Sequence, residues 1–395
     1  MKRSCSVLCL LAMFTITFLP HFVVAQEDTA KVAKKTSEEL RLRTIERGLQ
    51  YLRQSQSEDG TLTIKAGPGI TALAITAAIR SGEPLDSPMV SKGMAALESF
   101  VKPDGGIYGS GRLRNYETCI GILCFAEANR GGKYNTILQN AKRFVKTMQY
   151  GVGSDSTGDK DDVWNGGAGY GAQGRPDLSN TAYLIEALRA LDVGPNDPAV
   201  KAALAFVSRC QNLPGEHNTT PFAAKTGDGG FYYEIPKENV DPSKDEEAYT
   251  PDGGLRSYGT MTYAGFKSMI YAGLTASDPR VTAARKWIQK HYSVLENPGR
   301  GQAGVYYYYH TLSAALHAAG LDQITDSTGA SRDWRSDLIA SLAKRQAANG
   351  SWANENRRWF EDDTNLATSF ALLALAHCQA NPPAGTADVP TKPSK

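Results

Sequence analysis

Three places in the chain gather residues whose types can do chemistry. The first is Asp177-Leu-Ser179-Asn180-Thr-Ala, the polar start of a helix whose body, through Leu191, is apolar or small nearly all the way round. A carboxyl there can donate a proton if an apolar setting keeps it neutral. Ser179 and Asn180 either cap the helix or contact a ligand. The second is Asp159-Lys-Asp161-Asp162, followed by Val-Trp164-Asn-Gly-Gly. It reads as a solvated acidic loop, with Asp161 and Asp162 kept as candidate acids because the loop's glycines permit it to fold inward. The third is a scatter of rings and charges between helices: Trp164, Tyr170, Tyr233, Tyr258, Tyr308 and Trp359, with Arg175, Asp228, Glu234, Arg256 and Glu361 among them. Aromatic walls suit a polyisoprene chain or its carbocation. Aromatic platforms beside carboxylates also suit a sugar polymer, whose cleavage needs paired acids. The same rings would also serve simply to pack Gly-rich loops.

The chain must first be trimmed to its folded part. Lys2 and Arg3 precede an apolar run from Val7 to Val24, closed by Ala25 before Gln26-Glu-Asp. A basic end, a short apolar core and a small-residue cut site describe a secretory signal peptide over 1–25. Export is therefore expected, with 26–37 as a flexible segment and roughly 370 residues left to fold. A formal charge of +2 without a long basic block gives no sign of nucleic-acid binding, and membrane association is not evident. Cys119, Cys124, Cys210 and Cys378 remain after cleavage, in no Cys-x-x-Cys spacing, and are read as buried thiols.

The helix at 177–191 recurs. Aligned on a threonine near its start, the copies are Thr71, Thr118, Thr181, Thr262, Thr311 and Thr368, each opening an apolar or small run. Such helices are buried on both sides. Before each comes an amphipathic helix, as in Leu42, Ile45, Leu49 and Leu52, or Ile137, Ala141, Phe144 and Met148. These have one wet face and belong outside. Inner and outer helices alternate six times, so each unit buries its neighbour's apolar face. Links from outer to inner helices are long (151–178, 212–257, 347–363), whereas the returns are mostly short. One rim therefore collects the long loops, and long loops in a compact domain are usually functional. The expected fold is all-α, an α/α toroid of six hairpins over 38–380, with a disordered tail over 381–395.

A second pattern names a relative. Arg47-Gly-x-x-Tyr51-Leu52-x-x-x-Gln56-x-x-x-Gly60-x-Leu62, and the ending Gln346-Ala-Ala-Asn-Gly350-Ser-Trp352, resemble the glutamine–tryptophan repeat of squalene–hopene cyclases. Phe144-Val145 with Gln149, and Phe206-Val207 with Gln211, keep its helical part. The chain thus resembles the terpenoid cyclase and protein prenyltransferase superfamily, which implies the same toroid. In the cyclases an Asp-x-Asp-Asp-Thr-Ala motif starts the reaction, and its middle Asp protonates an alkene or epoxide. The matching frame here is Asp177 to Ala182, with Ser179 at the acid position and Asn180 at the last Asp. The prenyltransferase branch uses zinc on Asp, Cys and His. Tyr309-His310-Thr311 looks like its histidine segment, but the Asp-x-Cys place near Arg256-Ser-Tyr258 holds no thiolate, so no metal is expected.

With the signal-peptide pattern, the resemblance implies an exported toroid that binds an apolar, isoprenoid-type molecule in its centre without cofactor, and Ser179 at the acid position argues against the cyclases' protonation step. Asp177, Asp161 and Asp162 are the candidate acids. Candidate ligand contacts are Ser179, Asn180, Trp164, Tyr170, Tyr258, Arg256, Tyr308, His310 and Trp359. Two alternatives stay open: a glycan as ligand or substrate, held by the rim acids and rings, or a non-catalytic interaction domain.

Overall fold

A computed structural model describes residues 21–63, 67–152, 162–171, 175–237, 241, 243 and 245–379, with backbone alone for 21–33. Most of the expected signal peptide, Asp161 and the tail from 380 lie outside the described residues. In chain order the helices are α1 (His21–Ser55), α2 (Pro68–Arg80), α3 (Pro88–Glu98), α4 (Arg114–Glu127), α5 (Asn135–Thr147), α6 (Leu178–Ala190) and α7 (Pro198–Arg209). They continue with the single turn α8 (Ala223–Thr226), then α9 (Gly259–Tyr271), α10 (Pro279–His291), α11 (Val305–Ala318), α12 (Trp334–Arg345) and α13 (Thr364–His377). The stretch 26–37 belongs to α1. Between α11 and α12 sits a small antiparallel pair, β1 (Ile324–Thr325) and β2 (Ser331–Arg332).

Packing turns this list into a ring. Helix α2 lies on α4, α4 on α6, α6 on α9, α9 on α11, α11 on α13, and α13 returns to α2. The six inner helices are those carrying the repeated threonines, and the fold is the all-α toroid. Their bodies are buried on all sides, as α2 is from Pro68 through Ala78. The outer helices bury one face only; in α5 it is Leu138, Ala141, Phe144 and Val145. Outer helices α3, α7 and α10 start alike: Ser87, Asp197 or Asp278 accepts from a first-turn N–H, and a proline follows at the position whose missing N–H costs nothing. The long links enter the inner helices at their N-terminal ends. The returns at the opposite rim are short, apart from the one that carries β1 and β2. The four cysteines 119, 124, 210 and 378 are buried and in no disulfide. Among the described residues no helix is long and apolar enough to cross a membrane.

One device repeats between hairpins. Gln56, Gln149, Gln211 and Gln346 each donate through Nε2 to two carbonyls, one on the glycine of their own loop and one on the next outer helix. The pairs are Gly60 and Met89, Gly166 and Ala199, Gly229 and Arg280, Gly350 and Thr44. Those glycines, with Gly105, hold φ between 79° and 91°. A Cβ on Gly60, Gly166 or Gly350 would collide with the backbone carbonyl of Lys92, Ala202 or Arg47. Both the dihedral and the close approach therefore require glycine. Two residues on, the backbone N–H of Leu62, Ile107, Ala168, Phe231 or Trp352 donates to the threonine of the inner helix at 2.9–3.1 Å.

Thr311 departs from this pattern. Its hydroxyl donates back to Tyr307 O, and no loop N–H reaches it. The link before α11 has no clasping glycine; instead Tyr308 and Tyr309 donate to Ser293 O and Val294 O in that link, each at 2.7 Å. The equivalent of the other threonines on α11 is Tyr309, two residues earlier than the sequence alignment placed it. A contrast tests this. Thr181→Val orphans the buried N–H of Ala168 and should lower unfolding free energy by about 1–3 kcal/mol. Thr311→Val should cost under about 1 kcal/mol, because its partner carbonyl already serves the helix. Urea titration of both variants measures the difference, and equal losses would contradict the shifted register.

Candidate functional site

The start of α6 is built by Asp177. Its Oδ1 accepts from Asn180 N at 2.8 Å and its Oδ2 from Asn180 Nδ2 at 2.7 Å. The carboxyl thus caps the helix and fixes Asn180 beside it. Burial pushes its pKa up to about 7, against the lowering effect of the Asn180 and Tyr233 hydrogen bonds. In the first turn, Ser179 Oγ and Tyr307 Oη share a hydrogen bond of 2.8 Å across to α11.

Below that bond the bore of the ring is a column of rings. Tyr170, partly exposed at the mouth, meets Tyr116 at 5.7 Å between centroids, and Tyr116 meets Tyr183 edge-on at 5.5 Å. Tyr183 lies parallel to Tyr307 at 6.1 Å, and Tyr307 meets Phe370 at 5.3 Å. Phe370 stacks on His310 at 5.8 Å. Tyr170 comes from the link before α6, and four inner helices (α4, α6, α11 and α13) supply the other side chains. Edge-to-face and offset pairs at such distances are the favoured aromatic geometries.

The column ends on charge. Lys267 of α9 donates to Glu186 Oε2 of α6 at 2.5 Å, both buried. Burial opposes ionisation of Glu186, but the attraction of Lys267 outweighs it and holds the carboxylate low. His310 beside them is pushed down to about 3 by burial and by the Lys267 charge, so its ring is neutral. Ala182, Tyr183, Glu186, Lys267, Tyr307, His310 and Thr311 line one narrow recess with no room for a water-sized sphere. The rings therefore fill the bore. Among the described residues no three His, Cys, Asp or Glu side chains converge as a metal would require.

The structure brings some of the expected residues together here and places others elsewhere. Asp177, Ser179, Asn180 and Tyr170 stand at the mouth, and His310 at the foot. Asp162 is ion-paired with Lys237, accepts from Trp164 N at 2.9 Å, and lies beside Tyr150. Burial raises its pKa, but Lys237 and the hydrogen bonds together hold it low, which makes it a carboxylate and no proton donor. Trp164 belongs to the same cluster: its Nε1 donates to Ile235 O, and the Lys237 ammonium sits 4.0 Å from its ring centroid. Arg256 ties its own loop, donating to Glu246 O and Tyr249 O. Tyr258 is buried under the Arg300 guanidinium, Tyr308 packs on Tyr263, and Trp359 lies half-exposed under Arg358. None of these lines the recess.

Sequence reasoning missed Tyr116, Tyr183, Glu186, Lys267 and Phe370. A signal was present in the repeats. Glu186 and Lys267 each stand five residues after the shared threonine, where other copies carry Thr76, Leu123 and Leu373. Tyr183 and Phe370 each stand two residues after it.

The two perturbed groups give stability opposite pH trends. Asp177 holds its proton more tightly when folded, so its contribution is full below about 4 and is lost as pH rises through about 7. His310 contributes above its unfolded value of 6.5 and loses that contribution as pH falls toward about 3. Asp177→Asn removes the first trend only. Between pH 5 and pH 8 the wild type should lose on the order of 2–3 kcal/mol more than the variant. Urea unfolding at the two pH values reads this, and parallel losses would contradict the buried carboxyl.

No protein-family model matches the chain, and no curated protein matches it. Solved structures do. A point variant of the type II terpene cyclase MstE from Scytonema, without ligand, has a TM-score of 0.52 and 13% identity over 87% of this chain and 98% of that one. Another variant of the same enzyme, in complex with its substrate geranylgeranyl dihydroxybenzoate, has a TM-score of 0.51 and 13% identity over 87% of this chain and 99% of that one. At this identity the likeness is one of fold: the chain has the all-α toroid of a type II terpene cyclase.

Proposed function

We propose that this protein takes an apolar, isoprenoid-type molecule into the bore of its toroid and does not cyclise it by protonation. The observation that carries this reading is the column from Tyr170 through Tyr116, Tyr183, Tyr307 and Phe370. Stacked π-faces offer an apolar wall that also stabilises positive charge. The solved toroid with a geranylgeranyl compound bound supports the choice of ligand class. The column must open to admit a chain, and the packed arrangement is then the closed form.

Protonation fails for want of an acid. In the cyclase frame the donor position is Ser179, whose hydroxyl is bonded to Tyr307, and protonating carbon needs a far stronger donor. Asp177 has a carboxyl, but a pKa near 7 makes it a weak acid, and both its oxygens already accept from Asn180. From the apolar run over 7–24 we place the mature chain outside the cytoplasm.

Two experiments test this. Solvent extraction of the purified protein followed by mass spectrometry should yield an isoprenoid lipid; a glycan would favour the carbohydrate reading, and neither would favour an interaction domain. Incubated with squalene in detergent, the wild type should give no pentacyclic product, whereas Ser179→Asp combined with Asn180→Asp should give some. Turnover by the wild type that is lost in Ser179→Ala would overturn the assignment.

A further inference from the structure

At the foot of the bore two buried polar atoms have no hydrogen-bond partner among the described residues. Tyr183 Oη and His310 Nδ1 are buried without a hydrogen-bond partner, and both residues line the same recess. Their side chains are nearly sealed from solvent, at 4% and 3% exposure. A buried polar atom left unpaired costs about 1–3 kcal/mol, and four inner helices converge to hold these two in place. The column above them is apolar, so an entering molecule meets these atoms with its far end.

We propose that the foot of the bore binds a neutral hydroxyl group, alcohol or phenol, at the end of an apolar chain. This rests on the apolar-ligand reading above and specifies the head of that ligand. The charges around the recess are already balanced. Lys267 is paired with Glu186 at 2.5 Å, and Arg80 with Glu127 at 2.6 Å. An anionic head would have to draw Lys267 from Glu186, and a cationic head would compete with Lys267 for the carboxylate. Breaking a buried pair is expensive, so a neutral head is selected.

Among neutral groups the hydroxyl meets both atoms. A neutral imidazole nitrogen without its proton accepts, and a phenol donates. The ligand's O–H donates to His310 Nδ1 while its oxygen accepts from Tyr183 Oη. A carbonyl can satisfy only the tyrosine, and a hydrocarbon satisfies neither. The His310 ring is neutral because burial and Lys267 push its pKa down to about 3, which keeps the acceptor available across the ordinary pH range.

The test compares farnesol, farnesene and farnesyl diphosphate, which share a chain and differ in head, by equilibrium binding to the whole protein. Farnesol should bind at least tenfold tighter than the other two. Tyr183→Phe and His310→Phe should each bring farnesol to within about threefold of farnesene. Tyr183→Phe removes a hydroxyl that has no partner and keeps the ring, so it should fold with an unchanged or higher melting temperature. Equal affinity for farnesol and farnesene would deny the polar atoms any part in binding and overturn the proposal while the apolar-ligand reading stands. Tightest binding of the diphosphate would overturn it through the charge argument. Silence of all three would overturn the apolar-ligand reading and this proposal together.

Discussion

The ring depends on a glycine that has no room for a side chain. At Gly60, Gly166, Gly229 and Gly350 the loop lies directly on the backbone of the next outer helix. The neighbouring glutamine then bonds both the loop and that helix. The contact is between successive hairpins, so it sets the angle at which each follows the last. The final copy closes the circle: Gln346 donates to Thr44 O on α1, and Gly350 rests against Arg47. The first outer helix thus receives the last loop as α3, α7 and α10 receive their predecessors'. Backbone carbonyls as partners make the device insensitive to side chains on the receiving helix, which is why those helices share so little sequence.

Two hairpins relax the pattern, to different degrees. The second keeps Gly105 and the Thr118 bond to Ile107 but has Val101 where the glutamine would stand. The fifth drops glutamine, glycine and threonine together. Tyr308 and Tyr309 anchor the link before α11 instead, and Glu361 from the following link accepts from Tyr307 N at its first turn. With Tyr309 in the anchoring register, Tyr307, His310 and Thr311 face the recess. The break in the repeat therefore falls on a helix that contributes three residues to the recess. Local rules tend to fail where function or strain intervenes.

The architecture was legible in the sequence because it is written six times. Threonines at the head of all-apolar runs, and a glutamine ahead of a clasping glycine, answer to contacts that most of the hairpins make. The candidate site answers to none of those repeated contacts. Asp162, Trp164, Arg256 and Trp359 drew notice as charged or aromatic residues in loops, yet each is engaged with its own loop or an adjoining one. Glu186 and Lys267 were hidden because a single charge inside an apolar helix is easily read as a blemish in the pattern. Only superposing the copies shows that both occupy the same place on neighbouring helices. Thr311 misled for the opposite reason: its type matched, and the register can be read only from what its neighbours bond.

That buried pair is the feature hardest to explain by stability. Leucine occupies the same position at 123 and 373, and a buried ion pair can often be replaced by apolar residues without loss of stability. Desolvating two charges gains the fold little, although removing one partner alone would be costly. What the pair does is make the base of an otherwise aromatic bore polar while leaving it uncharged overall. It also sits beside His310, where the nearby ammonium disfavours protonation and preserves a hydrogen-bond acceptor. A bore shaped for hydrocarbon alone would gain from leucine at both positions. One shaped for a chain with a hydroxyl end gains from fixed dipoles that need no rearrangement when the ligand arrives. The pair then accounts for the exclusion of charged heads, while burial, with Lys267 aiding and Glu186 opposing, keeps neutral the imidazole that would hold a neutral one.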